Sequence, residues 1–195
     1  MEKRGAVIAI GGPPGSGKTT YAIRIAERLG FEYKSAGMIF REMSSELGVS
    51  LIDLNRMAEE EKWIDYYVDR KSLEAAMKGN IVIEGHLVPW IVQSVADLKI
   101  YFYASINTRV KRIASREGRD EKEVLFETAQ REYSHALRFR KLYGIDITDL
   151  SIYDLVVNTD SLSIEEVNSI VDRVVELYER KMANGAGENK FTIRR

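Results

Sequence analysis

From Gly12 to Thr19 the chain reads Gly-Pro-Pro-Gly-Ser-Gly-Lys-Thr, the spacing G-x-x-x-x-G-K-[ST] of a phosphate loop. Each residue type has a physical reason to be there. Glycines let backbone amides turn inward around an anion, and a helix that follows adds the partial positive charge of its N-terminus. The lysine reaches the β- and γ-phosphates of a nucleotide, and the next hydroxyl ligates Mg²⁺. Gly12, Pro13, Pro14, Gly15, Ser16, Gly17, Lys18, Thr19 and Thr20 are therefore the expected contacts for ATP, with Lys18 catalytic and Thr19 a metal ligand.

Such a loop works only between a strand that delivers it and a helix that closes it. Apolar, β-branched runs at Ala6–Ile10, Ile81–Ile83, Lys99–Tyr103 and Leu155–Val157, and a shorter one at Glu32–Lys34, predict five strands. Helical periodicity predicts helices over Lys18–Leu29, Ala36–Leu47, Leu51–Glu60, Ile64–Met77, Asn107–Arg116, Glu121–Leu142 and Glu165–Met182. Strands alternating with helices imply an α/β fold of three layers, α/β/α, with a parallel five-stranded sheet. Residues 36–78 contain no strand and read as a helical insertion, and about 112–140 as a short helical lid; both are candidates for parts that close over a site. The chain is read as one domain, 1–182, followed by a disordered tail at 183–195.

Composition narrows the function classes. The 195 residues carry 29 basic and 30 acidic side chains, a formal net charge of −1, so no overall attraction to nucleic acid or membrane is expected. The chain has no cysteine, which removes disulfides, thiolate metal sites and thiol nucleophiles and fits a cytoplasmic setting. The apolar run Ala6–Ile10 is too short for a secretory signal, and no segment reaches membrane-spanning length. A monomer is the expectation, with weak self-association the alternative.

A phosphate loop alone does not separate a switch GTPase, a mechanical ATPase and a small-molecule kinase. Guanine-specific switches carry N-K-x-D after a strand, whereas here Val157 is followed by Asn158-Thr159-Asp160 with no lysine. A kinase that moves phosphate onto another phosphate must neutralise two anions and so needs further arginines. Arg112, Arg116 and Arg119 are spaced i, i+4, i+7 and would share one helical face provided Gly118 does not end the helix. Arg131, His135 and Arg138 repeat the spacing, with Arg140 nearby. The plainer reading is that these arginines are solvated partners of Glu117, Glu121, Glu127 and Glu132.

Other candidates gather where strands end. Ser35 is a natural helix cap, and with Gly37 and Arg41 it would stand at the mouth of an acceptor pocket, unless the first is only a cap and the last only a surface charge. Glu84, Gly85 and His86 follow an apolar strand at the edge where ligands collect in parallel sheets. Glu84 is suited to hold Mg²⁺ through water. His86 would touch a phosphate or a ribose, or be a hydrogen-bonded structural residue. Asp65 and Asp69 share a helical face and would bind ribose or base, or simply face solvent.

The set GPPGSGKTT, SAGMIFRE, IVIEGH, REYSHALRFRKLYGID and SIYDLVVNT, in this order and spanning about residues 6 to 180, resembles the archaeal type of cytidylate kinase, a nucleoside monophosphate kinase. The resemblance implies a P-loop kinase fold and transfer of the γ-phosphate of ATP to CMP or dCMP with Mg²⁺. It implies that Ser35–Arg41 and Glu84-Gly85 line the acceptor site, and that Arg112, Arg116, Arg131 and Arg138 gather around the moving phosphoryl group. Many members have Asp-Gly-Arg where this chain has Glu84-Gly85-His86, so one phosphate contact is absent, and bacterial relatives place an aspartate at the position of His135. Two other readings stay open. One is a kinase for AMP, UMP or another small phosphorylated acceptor, since the Glu-Gly-His element is also similar to that of small adenylate kinases associated with ribosome assembly. The other is a nucleotide-gated switch or binding protein.

Overall fold

In a computed structural model, the chain is described over residues 5–183; the expected tail lies almost wholly outside the described residues. The first strand, β1 (Val7–Gly11), is buried along its whole length, as the continuous apolar run requires of a strand covered on both faces. The phosphate loop then leads into α1 (Lys18–Leu29), which stops at Gly30 in the left-handed region. Next come β2 (Glu32–Ser35) and three consecutive helices: α2 (Ala36–Leu47), α3 (Leu51–Glu60) and α4 (Lys62–Lys78). After β3 (Ile81–Glu84) a single turn, α5 (Val88–Ile91), precedes β4 (Leu98–Tyr103). The chain continues through α6 (Ile106–Glu117), α7 (Glu121–Tyr143), β5 (Leu155–Asn158) and α8 (Ile164–Ala183).

The five strands form one parallel sheet in the order β2-β3-β1-β4-β5. Alternation along β1 feeds two cores. Ile8 and Ile10 join Tyr21, Ile25, Val167 and Val171 beneath α1 and α8. Val7 and Ala9 join Ala75, Ala76 and Val88 beneath α4 and α5. Each fully buried aliphatic side chain contributes about 1.5–3 kcal/mol, so these two layers fix the centre of the sheet, and with it the place where β1 releases the phosphate loop. Helices on both faces give the expected three layers.

The insertion has a core of its own, in which Ile39 and Met43 of α2 meet Leu54 and Ala58 of α3 and Ile64 and Val68 of α4. Ser35 starts α2 by accepting the Met38 N–H at 3.0 Å, and Ser50 does the same for α3 with Asp53. Val110, Ile113 and Ala114 of α6 pack on Val124 of α7, while Phe139, farther along α7, packs on Leu87 and Ile147.

Two sequence expectations need correction. Gly118 does end α6, adopting φ 64° and returning its N–H to the Ala114 carbonyl, so Arg119 lies beyond the helix and cannot share a face with Arg112 and Arg116. The turn α5 has no counterpart among the expected elements: Pro89 in its first turn removes a donor that a helix start does not need, and one turn is too short to show periodicity.

Candidate active site

The phosphate loop sits at the C-terminal end of the central strand, with neighbours crossing away to either side, where α/β sheets open a crevice. Its shape demands glycine. Gly12 has φ 143°, and a Cβ there would stand 2.3 Å from the Phe102 carbonyl oxygen. Gly15, at φ 79°, lies against the backbone of Arg109, whose carbonyl oxygen would be 2.8 Å from an added Cβ. Pro13 and Pro14 form the turn between them, closed by the Ser16 N–H donating to Pro13 at 3.3 Å. Gly17 caps α1 without a side chain, leaving the first N–H groups of that helix facing the hollow. The Ser16 hydroxyl is buried and has no partner. Thr20 is exposed in the first turn.

Lys18 folds over the loop, its ammonium 3.4 Å from the Pro13 carbonyl and 4.0 Å from Glu84. Burial pushes this ammonium below its ordinary range, Glu84 pulls it back up, and Arg131, Arg116 and Arg109 push it down again. Glu84 is 4 % exposed and is the hub of the site. Its Oε1 accepts the Thr19 hydroxyl at 2.8 Å and the Tyr33 hydroxyl at 2.9 Å, while Oε2 is buried without a hydrogen bond. Burial and the carboxylate push the Tyr33 phenol up to about 12, so it stays a donor. A free carboxylate oxygen beside a threonine hydroxyl and a lysine suits Mg²⁺, which is held by one or two protein groups together with substrate phosphates. Among the described residues there is no cluster of three or more His, Asp or Glu side chains that could hold a metal ion.

The four expected arginines hold different partners. Arg112 donates to the Thr159 hydroxyl at 2.9 Å, the Thr159 carbonyl at 2.7 Å and the Gly15 carbonyl at 3.4 Å, which straps the phosphate loop to the end of β5. Arg116 and Arg131 border one cleft with Pro14 and Thr128, although Arg116 is also paired with Glu117 at 2.6 Å. Arg119 pairs with Glu117 and Glu127, the plainer solvated reading. Arg138 forms a fork with Asp65 of the insertion, at 2.8 and 2.9 Å.

On the acceptor side, Ser35 serves as a cap, and the Arg41 guanidinium lies over Gly37, 3.5 Å from where a Cβ would be. Gly85 is wedged between Val88 and Ala36, 2.7 and 3.0 Å from an added Cβ, and its N–H donates to Ile10 at 3.0 Å. His86 packs on His135 with ring centroids 5.8 Å apart, and Phe139 closes on both. The Nδ1 atoms of both histidines are buried without partners. Burial above all, then the surrounding positive charge, brings His86 down to about 3 and His135 well below its usual value. Both rings are therefore neutral. Asp69 accepts the Tyr143 hydroxyl at 2.6 Å, so neither it nor Asp65 simply faces solvent.

Sequence reasoning missed Arg109, Tyr33 and Thr159, and read Glu132 as a solvated partner of other arginines rather than of Arg109. Arg109 is 5 % exposed and donates to Pro14 and Ala104, and to both oxygens of Glu132. Arg109 stands i, i+3, i+7 with Arg112 and Arg116 and so fits their helical spacing; its burial appears only once the phosphate loop and α7 pack against it. Tyr33 meets Glu84 only because β2 pairs with β3 in the register Ser35 to Glu84.

Residues 7–161 match the model of the cytidylate kinase-like family. Cytidylate kinase of Staphylothermus marinus is 48% identical over 88% of this chain and 97% of its own. Cytidylate kinase of Ignicoccus hospitalis is 46% identical over 87% of this chain and 98% of its own. Among solved structures, shikimate kinase from Bacteroides thetaiotaomicron superposes with a TM-score of 0.61 at 17% identity, covering 89% of this chain and 98% of its own. That likeness concerns the fold, a parallel α/β/α kinase scaffold. Relatives this similar over nearly their whole length, together with a phosphate loop facing a buried carboxylate, place the chain in the cytidylate kinase-like family.

Proposed function

We propose that this chain is an ATP-dependent cytidylate kinase, transferring the γ-phosphoryl group of ATP to CMP or dCMP and releasing ADP and CDP or dCDP. The observation that carries the reading is the convergence of Lys18, Thr19 and the buried carboxylate of Glu84 at the mouth of a glycine cradle, in a chain whose relatives are cytidylate kinases.

The cradle amides and Lys18 bind the phosphates and match the charge that develops between donor and acceptor. Thr19 and Glu84 would hold Mg²⁺, which supplies charge neutralisation between the phosphate oxygens. Tyr33 keeps the Glu84 carboxylate aimed at that point. No general base is needed, because the acceptor phosphate is already ionised at neutral pH; rate comes from alignment and charge. Ser35, Gly37, Arg41, Asp65, Glu84, Gly85, His86 and His135 surround the acceptor, and residues 36–78 form the domain that carries it. Arg116 and Arg131 act from the cleft beside Pro14. Arg112 acts where it stands, on the Gly15 carbonyl, and Arg138 turns from Asp65 to phosphate when the region about 112–140 closes. No helix among the described residues is long and apolar enough to cross a membrane. The proposed setting is the cytoplasm, with small nucleotides as the substrates.

A coupled assay with ATP and Mg²⁺ against CMP, dCMP, UMP, AMP and GMP tests the reading. CMP and dCMP should give the highest kcat/KM. Preference for AMP would move the chain to a different acceptor, and phosphate release without any acceptor would make it a switch.

A further inference from the structure

We propose that Arg109 and Glu132 form a partly buried strut that sets the phosphate loop in register with α7, making both of them positioning residues for phosphoryl transfer; the proposal rests on the kinase reading above. One guanidinium reaches three separate segments. Its Nε donates to Ala104 at the end of β4 at 2.9 Å, one terminal nitrogen donates to Pro14 at 3.1 Å and to Glu132, and the other donates to Glu132 at 3.1 Å. Four of the five N–H groups of an arginine are thereby used. A lysine, with one compact ammonium, cannot satisfy carbonyls on one side and a carboxylate fork on the other.

The two ends of this strut matter to the reaction. Pro14 lies in the cradle between Gly12 and Gly15, and the Gly15 backbone already abuts Arg109. Glu132 directly follows Arg131, which borders the cleft beside Pro14. The link therefore ties the cradle to the turn of α7 that presents an arginine toward it. The Glu132 carboxylate pairs with the Arg109 guanidinium, and the pair acts on the loop through its geometry. Arg109 belongs to α6 and Glu132 to α7, and the apolar contact of Val110, Ile113 and Ala114 with Val124 already joins these helices. A purely structural staple would be redundant there; a strut to the Pro14 carbonyl is not.

The test compares Glu132→Gln, Glu132→Asp and Arg109→Lys with the wild-type chain by steady-state kinetics with ATP, CMP and Mg²⁺, thermal unfolding, and hydrogen exchange at residues 12–17. Glu132→Gln should lower kcat about 10- to 100-fold, the range expected for a misplacement near 1 Å, with KM for CMP changed less than threefold. Its loop amides should exchange at least about tenfold faster, the signature of a lower local opening energy. Glu132→Asp, which keeps the charge, should recover part of the kcat. A staple would lower only the unfolding temperature. Folded variants with wild-type kcat and unchanged exchange overturn the strut. Exchange is read without turnover, so a wild-type chain that fails to phosphorylate CMP overturns the kinase reading while exchange still decides the strut. If Glu132→Gln does not fold, the same two readouts on Glu132→Asp decide it.

Discussion

Lowering the pH from 7 to 5 should destabilise the folded chain through His86, and replacing that residue should remove the loss. Burial, then Lys18, Arg131 and Arg109, bring the folded imidazole down to about 3, whereas an unfolded histidine titrates near 6.5. The unfolded chain therefore takes up a proton that the folded chain refuses. The contribution is fully present above pH 6.5 and is lost as the pH falls toward 3. Linkage gives about 2 kcal/mol lost from His86 between pH 7 and pH 5, and His135 adds to it in the same direction. Asp69 works the other way. Burial raises its carboxyl to about 6, so it is protonated in the folded state at pH 5, and acidification returns roughly 1 kcal/mol. Asp65, also raised by burial, has the same sign. The wild-type slope is thus a difference between opposing groups, and only a variant separates them. His86→Gln keeps the aspartates and removes one imidazole, so its stability should fall by about 2 kcal/mol less than wild type over this interval. Guanidinium unfolding of both proteins at pH 7 and pH 5 measures the difference. If the two changes agree within about 0.5 kcal/mol, the neutral buried histidine is refuted.

Three further outcomes follow from the same geometry. Lys18→Ala should lower kcat by several orders of magnitude and leave the Kd for CMP nearly unchanged, as calorimetric titration would show; an equal loss in CMP affinity contradicts its place on the donor side. Gly12→Ala forces a Cβ to 2.3 Å from the Phe102 carbonyl at φ 143°, which should cost about 3 kcal/mol or more and abolish ATP binding; ATP affinity near wild type contradicts the cradle. Asp65→Asn leaves the largely buried Arg138 guanidinium without its counter-charge, a loss of about 3 kcal/mol. At roughly 2–4 °C per kcal/mol, calorimetry should show the melting point fall by about 6–12 °C.

Much of the fold is legible in the sequence because its signals are local. The strand VIAIG, the glycine loop and the helix from Lys18 to Leu29, stopped by Gly30, follow from residue types read in order. The three helices of the insertion begin where Ser35 and Ser50 can cap them or directly after the α3 cap residue Glu61. What escapes depends on tertiary neighbours. Arg109 shares the helical spacing of Arg112 and Arg116, so spacing cannot single out the one arginine that packs against the backbone of the loop. Tyr33 reads as one residue of a short edge strand until β3 is beside it. Spacing puts Asp65 and Asp69 on one helical face, but what that face meets, Arg138 and Tyr143, lies over seventy residues away. Gly118 breaks the arginine stripe, because its left-handed backbone separates Arg119 from the helix that carries Arg112 and Arg116.

The strap from Thr159 to the phosphate loop bears on how the protein is made. The Thr159 hydroxyl lies 3.1 Å from the Ser16 carbonyl, 143 residues earlier in the chain, and Tyr153 fills the space above Gly11. On a ribosome, residues 11 to 19 emerge first yet remain without this support until β5 has been synthesised. The packed form of the loop therefore depends on a contact of very long sequence separation, and closing that contact belongs to the slow, non-local part of folding.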